Sequence, residues 1–73
     1  MSMGTIRRLF VTKGFGFIRD EQGTDHFFHM SAIRGGSLFA ALREGQRVEF
    51  TPVNSARGPR AGEVRLVDRT RVA

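Results

Sequence analysis

Four side chains of this sequence are placed where they could stack on a flat ligand. In Lys13-Gly14-Phe15-Gly16-Phe17-Ile18, Phe15 and Phe17 alternate with Gly14, Gly16 and Ile18, and His26-Phe27-Phe28-His29 follows shortly after. Unpaired nucleobases have two π-faces, and stacking one on an aromatic side chain is worth about 1–3 kcal/mol. Basic side chains around such a surface hold the phosphates, and Arg7, Arg8, Lys13, Arg19, Arg57 and Arg60 are candidates for that rim. Stacking discriminates poorly among bases, so any preference must come from polar edges such as Asp25 and His29. A flat aromatic face does not enter the groove of a stacked duplex. The expected partner is therefore single-stranded RNA or DNA.

The chain reads poorly as an enzyme. His26 and His29 lie close together, with Asp20 and Asp25 nearby, but no nucleophile and base pair with a third, orienting group can be argued from them. No glycine loop for a nucleotide phosphate opens a helix. There is no cysteine, which excludes a thiolate metal site, and the histidine spacing does not support another. No cofactor, metal or small-molecule substrate is expected, and a small hydrolase or nuclease is the weakest reading.

The chain has 73 residues, with 12 Lys and Arg against 7 Asp and Glu, a formal charge of +5. Such a chain forms one small domain that buries only about 60% of its unfolded surface, so its core is thin. One domain over 1–73 is expected, ordered over about 4–68 with flexible ends. Lys13 is the one lysine; every other basic residue is arginine. The charge fits a polyanion partner, although a surface tuned for solubility would explain it equally well on its own. Basic residues scattered along the chain do not make an amphipathic membrane helix. No run approaches the roughly 18 apolar residues of a membrane span. A cytoplasmic monomer without membrane contact is the simplest expectation.

Turn signals at Lys13-Gly14, Asp20 to Gly23, Gly35-Gly36, Glu44-Gly45 and Ala56 to Pro59 divide the sequence into short segments. Strands are expected at about 4–12, 15–20, 24–30, 46–53 and 62–68. The stretch 37–43 is the one helix-like piece, with Ser37 as its cap and Gly45 as its end. Five strands with a long connection after the third suggest an all-β fold, a barrel closed to remove its edges. Side chains alternate along a strand. Phe15, Phe17 and Arg19 then share a face with Phe27 and His29 across a hairpin, and Ile18 and Phe28 share the other. A core can be assembled without the first set, from Ile6, Val11, Ile18, Phe28, Ile33, Leu42, Val48, Phe50, Val64 and Leu66. Arginine at the end of the Phe15-Phe17 face also argues that this face is open to solvent.

These motifs resemble the cold-shock domain. Lys13 to Ile18 is similar to the first ribonucleoprotein motif of that family, and Asp25 to Met30 to its second. The likeness continues through Ser31-Ala32-Ile33, then Leu42 to Phe50, and then Arg57 to Ala61, covering nearly the whole chain. It implies a five-stranded antiparallel barrel of the oligonucleotide-binding (OB) fold. It further implies sequence-tolerant binding of single-stranded RNA and DNA, often pyrimidine-rich, and a role as an RNA chaperone. The family's stacking positions fall on Phe15, Phe17, Phe27, His29 and Phe39, its basic contacts on Arg7 and Lys13, and a polar base contact on Asp25. Three places depart from the family. Arg7-Arg8-Leu9-Phe10 stands where the family usually has Lys-Trp-Phe-Asn, so Arg8 replaces a stacking Trp. Arginine can stack its guanidinium plane on a base while countering phosphate charge. Met30 replaces an aromatic with a softer contact. His26 takes the place of an inward valine, and since a buried imidazole needs a partner, a rim position or a local adjustment of the strand is expected for it.

Other readings weigh less. An RNA recognition motif has its two ribonucleoprotein segments in the opposite order and needs two full helices. A protein-interaction module would use the aromatic patch to hold a polypeptide, and would depend little on the surrounding arginines.

Overall fold

In the computed structural model, residues 2–34, 39 and 42–67 are described. Among the described residues five strands form, β1 (Ser2–Phe10), β2 (Phe15–Asp20), β3 (Asp25–His29), β4 (Arg47–Ser55) and β5 (Gly58–Leu66), with a 3-10 turn, Met30–Ala32, after β3. They close into a barrel in the order β1-β2-β3-β5-β4. The pairings β1–β2, β1–β4, β2–β3 and β4–β5 are antiparallel. The seam that closes the barrel, β3 against β5, is parallel and rests on the single pair Phe27–Arg60. The helix-like stretch 37–43 and the expectation for the ends fall mostly outside the described residues.

Alternation along the strands builds the interior. Ile6, Ile18, Phe28, Val48, Phe50 and Val64 are each no more than 1% exposed, with Ala32, Leu42 and Ala61 also buried. Ile33 and Leu66 pack against this cluster only in part. Gly16 leaves room for that packing. A Cβ there would lie 2.6 Å from the Arg8 carbonyl oxygen and 2.9 Å from Cε1 of Phe28. Val11 departs from the expected core: it is 50% exposed, because β1 ends at Phe10 and Val11 opens the turn to β2.

β5 starts earlier than its turn signals suggest. The turn from β4 is only Ala56-Arg57, and the Ser55 hydroxyl donates to the Gly58 carbonyl at 2.8 Å across it. Gly58 adopts φ +116°, a conformation that favours glycine. Pro59 then pairs with Asn54 near the tip of an exposed hairpin, where a missing N–H is tolerated.

β1 carries a bulge that matters for its outer face. Ile6 lies opposite Ile18 and Arg8 opposite Phe17, so Arg7 is one residue more than β2 can match. The bulge reverses the alternation of everything that follows. Leu9 now points inward opposite Gly16, and Phe10 outward opposite Phe15.

His26 is a correction to the sequence reading. The strand does not adjust and the ring does not move to the rim; it is buried, 7% exposed, on the inward face beside Phe28. Its ring packs on Phe50 with centroids 4.8 Å apart, and Nε2 donates to Oδ2 of Asp20 at 2.9 Å. Asp20, at the end of β2, therefore supplies the partner that burial demands. The other ring nitrogen, Nδ1, is buried with no protein partner. Asp20 also accepts the backbone N–H groups of Gln22 and Thr24 on Oδ1, each at 2.9 Å, and so ties the hairpin loop together.

The hydrogen bond from His26, followed by that from the Thr24 backbone, holds the Asp20 carboxyl below its ordinary value, against a smaller opposing effect of burial. A carboxyl whose folded pKa is depressed contributes stability above its unfolded value of about 3.9, which is lost as pH falls through the folded value. The urea midpoint is accordingly expected to fall as the pH drops below about 5, and to fall less in Asp20→Asn, whose amide does not titrate. Equal losses in the two proteins would show that Asp20 does not contribute to the acid sensitivity.

Candidate nucleic-acid interface

The outer face of the β2–β3 hairpin is built by register. Phe15 lies opposite His29, Phe17 opposite Phe27, and Arg19 opposite Asp25, all turned away from the buried side of Gly16, Ile18, His26 and Phe28. Phe15, Phe17 and Phe27 are half-buried. Phe27 lies beneath the Arg60 guanidinium, which is 5.2 Å from the ring centroid. The bulge adds Phe10 to this surface.

The rings are ordered with respect to one another. Phe10 and Phe15 are 4.9 Å apart at 35°, and Phe15 and Phe27 are 5.5 Å apart at 34°, both tilted contacts. Phe17 stands edge-on to all three, at 85° to Phe10, 88° to Phe15 and 74° to Phe27. At the β1 end the Arg8 guanidinium lies 5.8 Å from the Phe10 centroid. The result is a row Arg8–Phe10–Phe15–Phe27–Arg60 that crosses β1, β2, β3 and β5, aromatic in the middle and cationic at both ends. Beside it, Phe17 and Phe27 floor a cleft of about 290 Å³, walled by Ser55, Arg57, Pro59 and Arg60.

The remaining candidate residues surround this row without joining it. His29 is exposed at the start of the 3-10 turn, and its Nδ1 accepts the Ser31 backbone N–H at 3.1 Å. A backbone N–H can only donate, so the neutral ring carries its proton on Nε2 and presents a donor outward. Met30 follows, 50% exposed. Arg19 and Asp25 form an ion pair at 3.0 Å with side chains 43% and 44% exposed, a pair that holds either partner weakly. Lys13 is exposed in the β1–β2 turn. Arg7, on the bulge, lines a separate cleft with Arg19, Asp20, Glu44 and Arg47. Phe39 does not join the row. It is partly buried against the core, 6.1 Å from Phe28 and edge-on to it.

Phe10 is the residue the sequence reading missed. Strict alternation from Ile6 would turn Phe10 inward, and only the bulge at Arg7 brings it out. The bulge is a mismatch between β1 and β2 and becomes visible only once the two strands are paired.

A small closed β-barrel with an aromatic outer face rimmed by arginines defines a class, the oligonucleotide-binding type of barrel. The 'cold-shock' DNA-binding domain matches residues 2–67, and the chain belongs to that family of nucleic-acid-binding proteins. The major cold shock protein CspA of Pseudomonas aeruginosa is 45% identical over 64 residues, covering 88% of this chain and 91% of that protein. The cold shock-like protein CspLB of Listeria monocytogenes is 50% identical over 64 residues, covering 88% of this chain and 96% of its own. Among solved structures, Drosophila Unr CSD456 superposes with a TM-score of 0.75 at 27% identity, covering 99% of this chain, which spans 29% of that one. Among the described residues, no helix is long and apolar enough to cross a membrane.

Proposed function

We propose that this protein binds single-stranded RNA and DNA on the outer face of β1, β2 and β3, tolerating sequence and favouring pyrimidine-rich strands. Bound in this way it acts as an RNA chaperone, as a monomer of one domain in the cytoplasm. The observation that carries this reading is the row of partly open phenylalanines with a guanidinium over each end. Rings offer a stacking surface to any base, and Arg8 and Arg60 over the row, Arg57 in the wall of the cleft and the exposed Lys13 are the cations offered to the phosphates. Asp25 and the Nε2 donor of His29 are the polar edges available to choose among bases. A face of this shape reaches bases only where they are unpaired, which separates single strands from duplex. Chaperoning needs no fuel: a protein that binds the open strand shifts the opening equilibrium of an RNA hairpin by mass action.

The test is fluorescence anisotropy of a labelled oligo-dT and a matched duplex over a range of salt, with hairpin melting alongside. The chain has no Trp, so the label belongs on the nucleic acid. Oligo-dT is expected to bind more tightly than duplex, and saturating protein to lower the melting temperature of an RNA hairpin. Equal binding of both forms, or an unchanged hairpin, would sink the proposal. Arg8 adds charge where the family usually stacks, so Arg8→Trp is expected to flatten the slope of log K against log salt by about 0.7, the loss of one phosphate contact.

A further inference from the structure

We propose that Phe10 and Arg8 form a nucleotide subsite on β1, in which a base stacks on the Phe10 ring and the adjacent phosphate is held by the Arg8 guanidinium. The inference rests on the reading of the aromatic row as a nucleic-acid surface and extends it by one strand. It concerns a residue that the family's usual pattern does not supply, since Asn ordinarily stands where this chain has Phe10.

Three observations support it. The first is that the ring is turned outward by backbone geometry. With Arg7 taken up by the bulge, Phe10 pairs with Phe15 and shares its face, while Leu9 fills the inward position. A phenylalanine that the fold has no need to expose is placed outside at the cost of hydrated apolar surface.

The second is order. Phe10 is in tilted contact with Phe15 at 4.9 Å and edge-on to Phe17 at 6.4 Å, so the ring is held before any ligand arrives. A base that stacks on it therefore loses little affinity to ordering the side chain.

The third is the cation. Arg8 is exposed and lies over Phe10, and among the described residues it makes no salt bridge. A guanidinium resting on a ring and free of carboxylates can move to a phosphate while its stem stays at the edge of the ring. Arg60 over Phe27 repeats the arrangement at the far end of the row. Arg8 and Arg60 thus stand at the two ends of a row that crosses β1, β2, β3 and β5.

The experiment compares native protein, Phe10→Asn, Phe17→Ala and Phe10→Trp against labelled oligo-dT at fixed salt. Folding of each variant is followed by far-UV circular dichroism in urea. Phe10→Asn is expected to bind about 5- to 150-fold more weakly, the equivalent of one lost stacked base. In Phe10→Trp the new indole is the only one in the chain, and its emission is expected to be quenched on saturation with unlabelled oligo-dT. If Phe17→Ala weakens binding while Phe10→Asn binds as the native protein does, the row binds nucleic acid and the subsite on β1 is wrong. If the native protein itself ignores oligo-dT, the parent reading fails and this one with it. Should Phe10→Asn not fold, Phe10→Trp decides: an indole whose emission is unchanged by saturating DNA overturns the proposal.

Discussion

Phe28→Ala is expected to lose a large share of the stability of the domain, while Phe27→Ala, one residue earlier, loses less. Phe28 is fully buried at the centre of the core, between the β2 and β5 sides of β3. Truncating a buried phenylalanine costs about 3–5 kcal/mol, through lost transfer free energy and the cavity left behind. A domain of 73 residues has roughly 4–11 kcal/mol in total, at about 0.05–0.15 kcal/mol per residue. The variant would be close to its folding threshold at room temperature. Phe27 is on the outer face, and its alanine forfeits only surface contacts with Phe15, Phe17 and Arg60. Such contacts are worth about 0.5–1.5 kcal/mol each beyond the area they bury, and less where one face of the ring is open. Urea unfolding followed by circular dichroism distinguishes the two. A similar drop in midpoint for both variants would mean that the outer phenylalanines are part of the core and that no open platform exists.

This contrast also shows which parts of the molecule can be read from the sequence. The faces of β2 and β3 follow from period-two alternation because the hairpin between them is regular, with unbroken register from Phe15–His29 to Arg19–Asp25. Gly16 and Ile18 could be assigned inward for the same reason. Alternation fails where a residue is inserted. Arg7 is extra in β1, and the face of Phe10 is reversed by it; nothing in the hydrophobic pattern marks a bulge, because its cause is a mismatch with the partner strand. Proline at 59 misled in another way. It signals a turn by its missing N–H, but near the tip of an exposed hairpin that donor has no required partner, so the strand runs through it.

His26 is the clearest case of a long-range determinant. Polarity alone argues for the rim. What keeps the imidazole inside is a carboxylate six positions earlier on the neighbouring strand, which becomes visible only once β2 and β3 are paired. Phe39 belongs with it. Similarity to the family assigns it a stacking role, whereas its packing against Phe28 is that of a residue at the margin of the core.

The largest expected effect on binding is that of Phe17→Ala combined with Phe27→Ala. Each ring is expected to hold one base, and stacking is worth about 1–3 kcal/mol per base, so the double variant should weaken oligo-dT binding by about 2–6 kcal/mol if the sites act independently. The two rings are in contact, their centroids 5.9 Å apart, and residues in contact commonly deviate from additivity by about 0.5–3 kcal/mol. The direction of the deviation is informative. Phe17 stands edge-on to Phe10, Phe15 and Phe27, so it braces the row as well as offering a surface of its own. If bracing dominates, Phe17→Ala alone already loosens Phe27, and the double variant loses less than the sum of the two. If each ring serves its own base, the losses add. In both cases the salt slope should stay near that of the native protein, because no charge has been removed and the phosphate contacts of the arginines persist. A double variant that remains folded and binds oligo-dT as tightly as the native chain would remove stacking from the mechanism and leave charge alone to account for binding.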